Sequence, residues 1–141
     1  MKLRKIVTFA IVVATTVMLG EAGAFAEKVR FTASLKGPAE VPPTNSPGTA
    51  KAEIAFDTSS RTVKWVLAFR NLSGHPTAAH FHGPATQGEN ADPVLDIRTK
   101  LKRGIAHLTT EQAADLMAGK WYINIHTEKF PSGEIRGQVV R

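Results

Sequence analysis

From Val29 onward the chain changes polarity at every second residue: Val29, Phe31, Ala33 and Leu35 alternate with Arg30, Thr32 and Ser34. A period of two is the spacing at which a pleated strand sends successive side chains to opposite faces, so this segment reads as a half-buried strand. The pattern returns along the chain. Ala52, Ile54 and Phe56 form a second strand, Asp57-Thr58-Ser59-Ser60 a turn, and Val63, Trp65, Leu67 and Phe69 a third, the latter two pairing as an antiparallel hairpin. Thr77 to His82 and Val94 to Ile97 follow. Trp121, Ile123 and Ile125 then alternate with Tyr122, Asn124 and His126, and Glu134 to Val140 closes the chain after Phe130-Pro131-Ser132-Gly133, which has Pro and Gly at the second and fourth positions of a type I turn.

Only one segment carries helical signals. In Leu108 to Gly119, Thr109 is a natural N-cap, Gln112 its capping-box partner three residues on, and Gly119 a C-terminal stop. Between the first two strands, Gly37 to Gly48 holds four prolines, which cannot join a sheet ladder and mark a loop or an edge. Seven or eight short strands with one connecting helix predict an all-β fold, a Greek-key β-sandwich or barrel of antiparallel strands.

The first 26 residues stand apart. Lys2, Arg4 and Lys5 precede the apolar run Ile6 to Gly20, and Ala24-Phe25-Ala26 places small residues at −3 and −1 of a cleavage point, the pattern of a signal peptide. The expected mature chain is a single domain over 27–141. Removing Lys2, Arg4, Lys5 and Glu21 takes the formal charge from +6 to +4, only mildly basic. The apolar run is shorter than the roughly 20 residues of a membrane span, so a periplasmic or secreted protein is expected, monomeric or weakly self-associating. The absence of cysteine excludes disulfides, thiol redox chemistry, cysteine nucleophiles and iron–sulfur ligation.

His80 and His82 flank Phe81 in a predicted strand, which puts both imidazoles on one face roughly 6.6 Å apart along the chain while Phe81 points inward. Neutral imidazole suits Cu(II), Zn(II) and Ni(II). His126 lies on the face opposite Trp121, Ile123 and Ile125; if its strand passes near Thr77 to His82, it completes a three-nitrogen metal site, with Tyr122 and Asn124 supporting it. His75, in a loop before Pro76, is the candidate for a fourth position, while His107 precedes the helix cap. Each histidine also has a plainer reading as an exposed or hydrogen-bonded strand residue.

Other constellations are weaker. Glu134 and Arg136 read as a cross-strand ion pair near His126 or equally as an exposed charge ladder. Arg98, Lys100, Lys102 and Arg103 read as one cationic stripe on a strand, able to meet a phosphate or an anionic glycan. No aromatic residues interleave with them as nucleic-acid binding would require. No Gly-x-Ser-x-Gly elbow, phosphate loop or facing pair of carboxylates supports a hydrolase or nucleotide enzyme, and no catalytic residue is assigned.

Three stretches carry a resemblance. Ala79-His80-Phe81-His82-Gly83-Pro84-Ala85, Leu108-Thr109 with Gln112, and the closing run from Tyr122 through His126-Thr127 and Phe130-Pro131-Ser132-Gly133-Glu134-Ile135-Arg136-Gly137-Gln138 resemble the CHRD domain, in the form of a single exported bacterial copy. The family is named from repeated domains of the extracellular protein chordin, and the resemblance implies an all-β domain outside the cell. For bacterial members it implies copper binding through histidines, which carries over to His80, His82 and His126. The expected function is copper carriage, buffering or tolerance, with Cu(II) favoured and Zn(II) the other candidate. The alternatives are an envelope module that binds a protein or glycan with structural histidines, and a copper oxidoreductase of the superoxide dismutase type.

Overall fold

A computed structural model describes residues 27–141, so the proposed leader lies outside the described residues. Eight strands and one helix follow one another as β1 (Lys28–Lys36), β2 (Thr49–Asp57), β3 (Thr62–Arg70), β4 (Pro76–His82), β5 (Pro93–Asp96), β6 (Arg103–His107), α1 (Thr110–Met117), β7 (Tyr122–Thr127) and β8 (Ile135–Gln138). They form one curled, antiparallel sheet in the order β5-β4-β7-β8-β1-β2-β3-β6. The fold is all-β, as the alternation predicts.

The pairing of β8 with β1 is the sparsest in the sheet. Those two strands share a single registered pair, Lys36 with Arg136, and a lone bridge joins Thr32 to Val140. On either side of that weak seam, two four-stranded halves turn their apolar faces toward each other. β1 buries Val29, Phe31, Ala33 and Leu35, and β2 and β3 bury Ile54, Phe56, Val63, Trp65 and Leu67. The opposite half supplies Phe81, Ile123, Ile125 and Ile135, all fully buried. Phe81 meets the two tryptophans at centroid distances of 5.6 Å each, edge-on to Trp65 and tilted to Trp121, a geometry favoured by the ring quadrupoles.

Local signals explain the connections. Asp57 Oδ1 accepts from the backbone N–H groups of Ser59 and Ser60 and so closes the β2–β3 turn. Thr109 and Gln112 form the reciprocal capping box of α1, and Gly133 N–H donates to Phe130 O across the β7–β8 turn. Among the described residues, no helix is long and apolar enough to cross a membrane.

Two expectations are corrected. Arg98–Lys100 is a 3-10 turn, and only Arg103 of the basic cluster lies in a strand, so the four cations do not form a single strand stripe. Glu134 and Arg136 do not make an exposed ladder, since both are buried. Glu134 accepts from Ser46 Oγ, Ser73 Oγ, the Ser73 backbone N–H and Thr127 Oγ1. Burial alone would raise its pKa, but these donors together hold it below the ordinary glutamate value.

Phe81 fills the centre of the core between two indoles, so truncating it leaves a cavity that strand-borne neighbours cannot close. Phe81→Ala is expected to lower unfolding free energy by about 3–5 kcal/mol, measured by urea denaturation of the metal-free protein.

Candidate metal centre

β7 is hydrogen-bonded on both sides, to β4 and to β8. Its period of two sends Ile123 and Ile125 into the core and Tyr122, Asn124 and His126 to the other face. Registration with β4 sets His82 opposite Tyr122, His80 opposite Asn124 and Ala78 opposite His126. This brings the three histidines together: one ring nitrogen from each of His80, His82 and His126 lies within 4.8 Å of the others. The His80 ring sits 5.3 Å from both of the other two, centre to centre. His75 lies in the exposed bend before β4, outside this cluster, and His107 pairs with Thr62 Oγ1 at 3.1 Å on the far half of the sheet.

The hydrogen bonds decide which nitrogens are free. His82 Nδ1 lies 2.8 Å from Ala91 O, and His126 Nδ1 lies 2.9 Å from Pro131 O. A carbonyl can only accept, so both Nδ1 atoms carry the proton and, on neutral rings, both Nε2 atoms present lone pairs. Those lone pairs point at Asn124 Oδ1, 2.9 and 3.0 Å away. Three acceptors thus converge with no proton among them. The conflict is relieved if the amide turns its NH2 toward both rings, if the rings gain protons, or if a cation sits among them. His80 Nδ1 is buried with no hydrogen-bond partner. A buried ring nitrogen without a partner, in a cluster whose other two rings present lone pairs, fits a metal that favours imidazole.

The surroundings hold this geometry. The Tyr122 ring stacks on His82 at 4.6 Å and 3°, from the β7 side, and the Arg136 guanidinium reaches Tyr122 from β8, its Cζ 3.5 Å from the ring centre. Tyr122 Oη exchanges hydrogen bonds of 3.2 Å with the Ala91 backbone, the same residue that accepts from His82. Tyr122 and Asn124 therefore lie on the face of the histidines, as the alternation predicts. Asp96 on β5, registered with His80, was not legible as a neighbour from sequence spacing; its charge favours the imidazolium form of His80. Burial acts the other way and dominates, lowering the pKa of His80 and His82 below the ordinary histidine value.

Loops cover this side of the sheet. Arg136 donates to Asn90 Oδ1 and Glu89 O, and Asn90 Nδ2 donates to Val41 O, which ties the β4–β5 loop to the proline-rich β1–β2 loop. Glu40, from that second loop, is buried, and its Oε1 has no partner. Gly133 makes room for it: at φ +130° it carries no Cβ, and a Cβ there would lie 2.6 Å from Glu40 Oε1. Desolvation raises the Glu40 pKa to about 7 against the opposing pull of the Arg136 charge and the Val41 N–H.

The CHRD domain family model matches residues 31–139. No curated protein and no solved structure matches the chain.

Because Glu40 ionises at about pH 7 when folded and near 4.5 when unfolded, folding loses stability as pH rises through that interval. Glu40→Gln, which cannot ionise, is expected to gain roughly 2–3 kcal/mol over the parent at pH 8 and almost nothing at pH 4, as read from denaturation midpoints at the two pH values.

Proposed function

As the chain belongs to the CHRD domain family, whose model covers residues 31–139, we propose that it is an exported protein that binds copper as cargo, with His80, His82 and His126 as the ligands. The convergence of three imidazoles, two with their Nε2 lone pairs aligned by backbone carbonyls, is the observation that carries this reading. Three neutral nitrogens without thiolate or clustered thioether favour Cu(II), and Zn(II) is the competing ion. Water or a receiving partner completes the coordination, and an open position suits an ion that must be passed on.

The chain's own residues prepare the site. Ala91 O and Pro131 O fix the tautomers, Tyr122 sets the plane of the His82 ring, and Asn124 holds the centre of the cluster until an ion displaces its contacts. Ordering these groups before binding removes much of the entropy cost of assembling ligands from a floppy chain.

Cu(II) titration of the metal-free protein, followed by calorimetry and electron paramagnetic resonance, is expected to show one saturable site with nitrogen hyperfine structure. The site should vanish in His80→Ala/His82→Ala/His126→Ala. A site that survives in that variant, or no saturable site at all, overturns the assignment. Tyr122→Leu, which removes the ring stacked on His82 and the hydroxyl bonded to Ala91, is expected to weaken binding by about 10–100-fold.

Protons compete for the same lone pairs. Since burial holds His80 and His82 below the ordinary value of 6.5, protons take these two rings only at more acid pH, and Cu(II) affinity should fall steeply there. Calorimetry between pH 7.5 and 4.5 checks this, and an affinity unchanged at the acid end rules out the histidine ligand set.

A further inference from the structure

The opposite outer face of the sandwich, formed by β1, β2, β3 and β6, has a different chemistry. Its registers set Lys64 beside Ile105 in one row across the strands, and Val66 beside Arg103 in the next. Val66 and Ile105 thus lie diagonally adjacent, each 49% exposed, and they are two of the three large hydrophobic residues so exposed among the described residues. Arg30 stands at the β1 end of the Lys64 row, and Lys100 reaches in from the turn before β6. Together they line a groove of about 920 Å3 whose single acid is Glu53.

That volume falls near the upper end of the range for small-molecule sites, roughly 300–1,000 Å3. Four strands spaced about 4.8 Å apart carry the floor some 14 Å from β1 to β6, long enough for an extended aliphatic chain. A glycan or an inorganic anion could use the cations of this face but would gain nothing from covering the exposed Val66 and Ile105. Four cations around the floor give an uncharged lipid no reason to choose this face.

We propose that this groove binds an amphipathic anion, a molecule with one anionic headgroup and an aliphatic tail. The headgroup is held by Lys64 and Arg103, and the tail lies over Val66 and Ile105. The groove is on the far side of the sandwich from the histidines, with the inward contact of Trp65 on Phe81 between them. It therefore stands independently of the metal reading, and either can fail alone.

Sodium dodecanoate, kept below its micellar concentration, is titrated into 15N-labelled protein and followed by amide chemical shifts, in parallel with dodecanol, acetate and anionic phospholipid vesicles. The expected result is saturable 1:1 binding with shifts centred on Val66, Arg103 and Ile105 and none along Ala79–His82. Lys64→Glu/Arg103→Glu, both exposed on the face, should weaken binding at least tenfold while the spectrum stays dispersed, and Val66→Asn should weaken it with the charges intact. Raised salt should weaken it too. Absence of saturation, shifts spread over the molecule, insensitivity to the charge reversal, equal binding of acetate or dodecanol, or binding to vesicles alone would each overturn the proposal.

Discussion

Pairing of β7 on both edges is the constraint from which the rest follows. A strand with neighbours on each side has no freedom to rotate or slip, because a shift of one residue would exchange its two faces and drive Asn124 and His126 into the core while expelling Ile123 and Ile125. The apolar side thus fixes the polar side. Every relation in the histidine cluster is inherited from this register: His82 above Tyr122, His80 above Asn124, and Arg136 on the neighbouring strand beside them. The interior stabilises the sheet, and the sheet then holds a polar cluster at no further cost in backbone order.

Under the loops, that polar cluster is unusual in how little of it meets water. His82, Asn124, Glu134 and Arg136 are all buried, and buried polar groups are unfavourable unless satisfied. Glu134 and Arg136 answer this with several partners each. Glu40 and His80 answer it only in part, each leaving one atom without a partner. Trp121 Nε1, buried in the core before β7, and Gln138 Oε1 on β8 are likewise without a partner among the described residues, so the incompletely satisfied groups gather on or beside the β4–β7–β8 half of the sheet.

Much of this architecture is legible in the sequence. Alternation by two is strict wherever one face is apolar, so it revealed β1, β2, β3 and β7, the pairing of His80 with His82, and the shared face of Tyr122, Asn124 and His126. It failed at β6, whose half-buried positions are Gly104 and Ala106. Gly104 is small because the Trp65 ring occupies the space in front of it, where a Cβ would lie 2.1 Å from the indole. The burial of Glu40, Glu134 and Arg136 is hidden from the sequence for a different reason. Periodicity tells which face a side chain takes, and it is silent about loops that later fold across that face from 46 or 88 residues away.

Glu134 also couples parts of the chain that topology leaves separate. Ser46 belongs to the β1–β2 loop, Ser73 to the β3–β4 connection and Thr127 to the end of β7, yet all three donate to one carboxylate. Opening any one of the three segments takes a donor away from a buried carboxylate, so their local stabilities are coupled through Glu134 in a way that those of independently fraying surface loops are not.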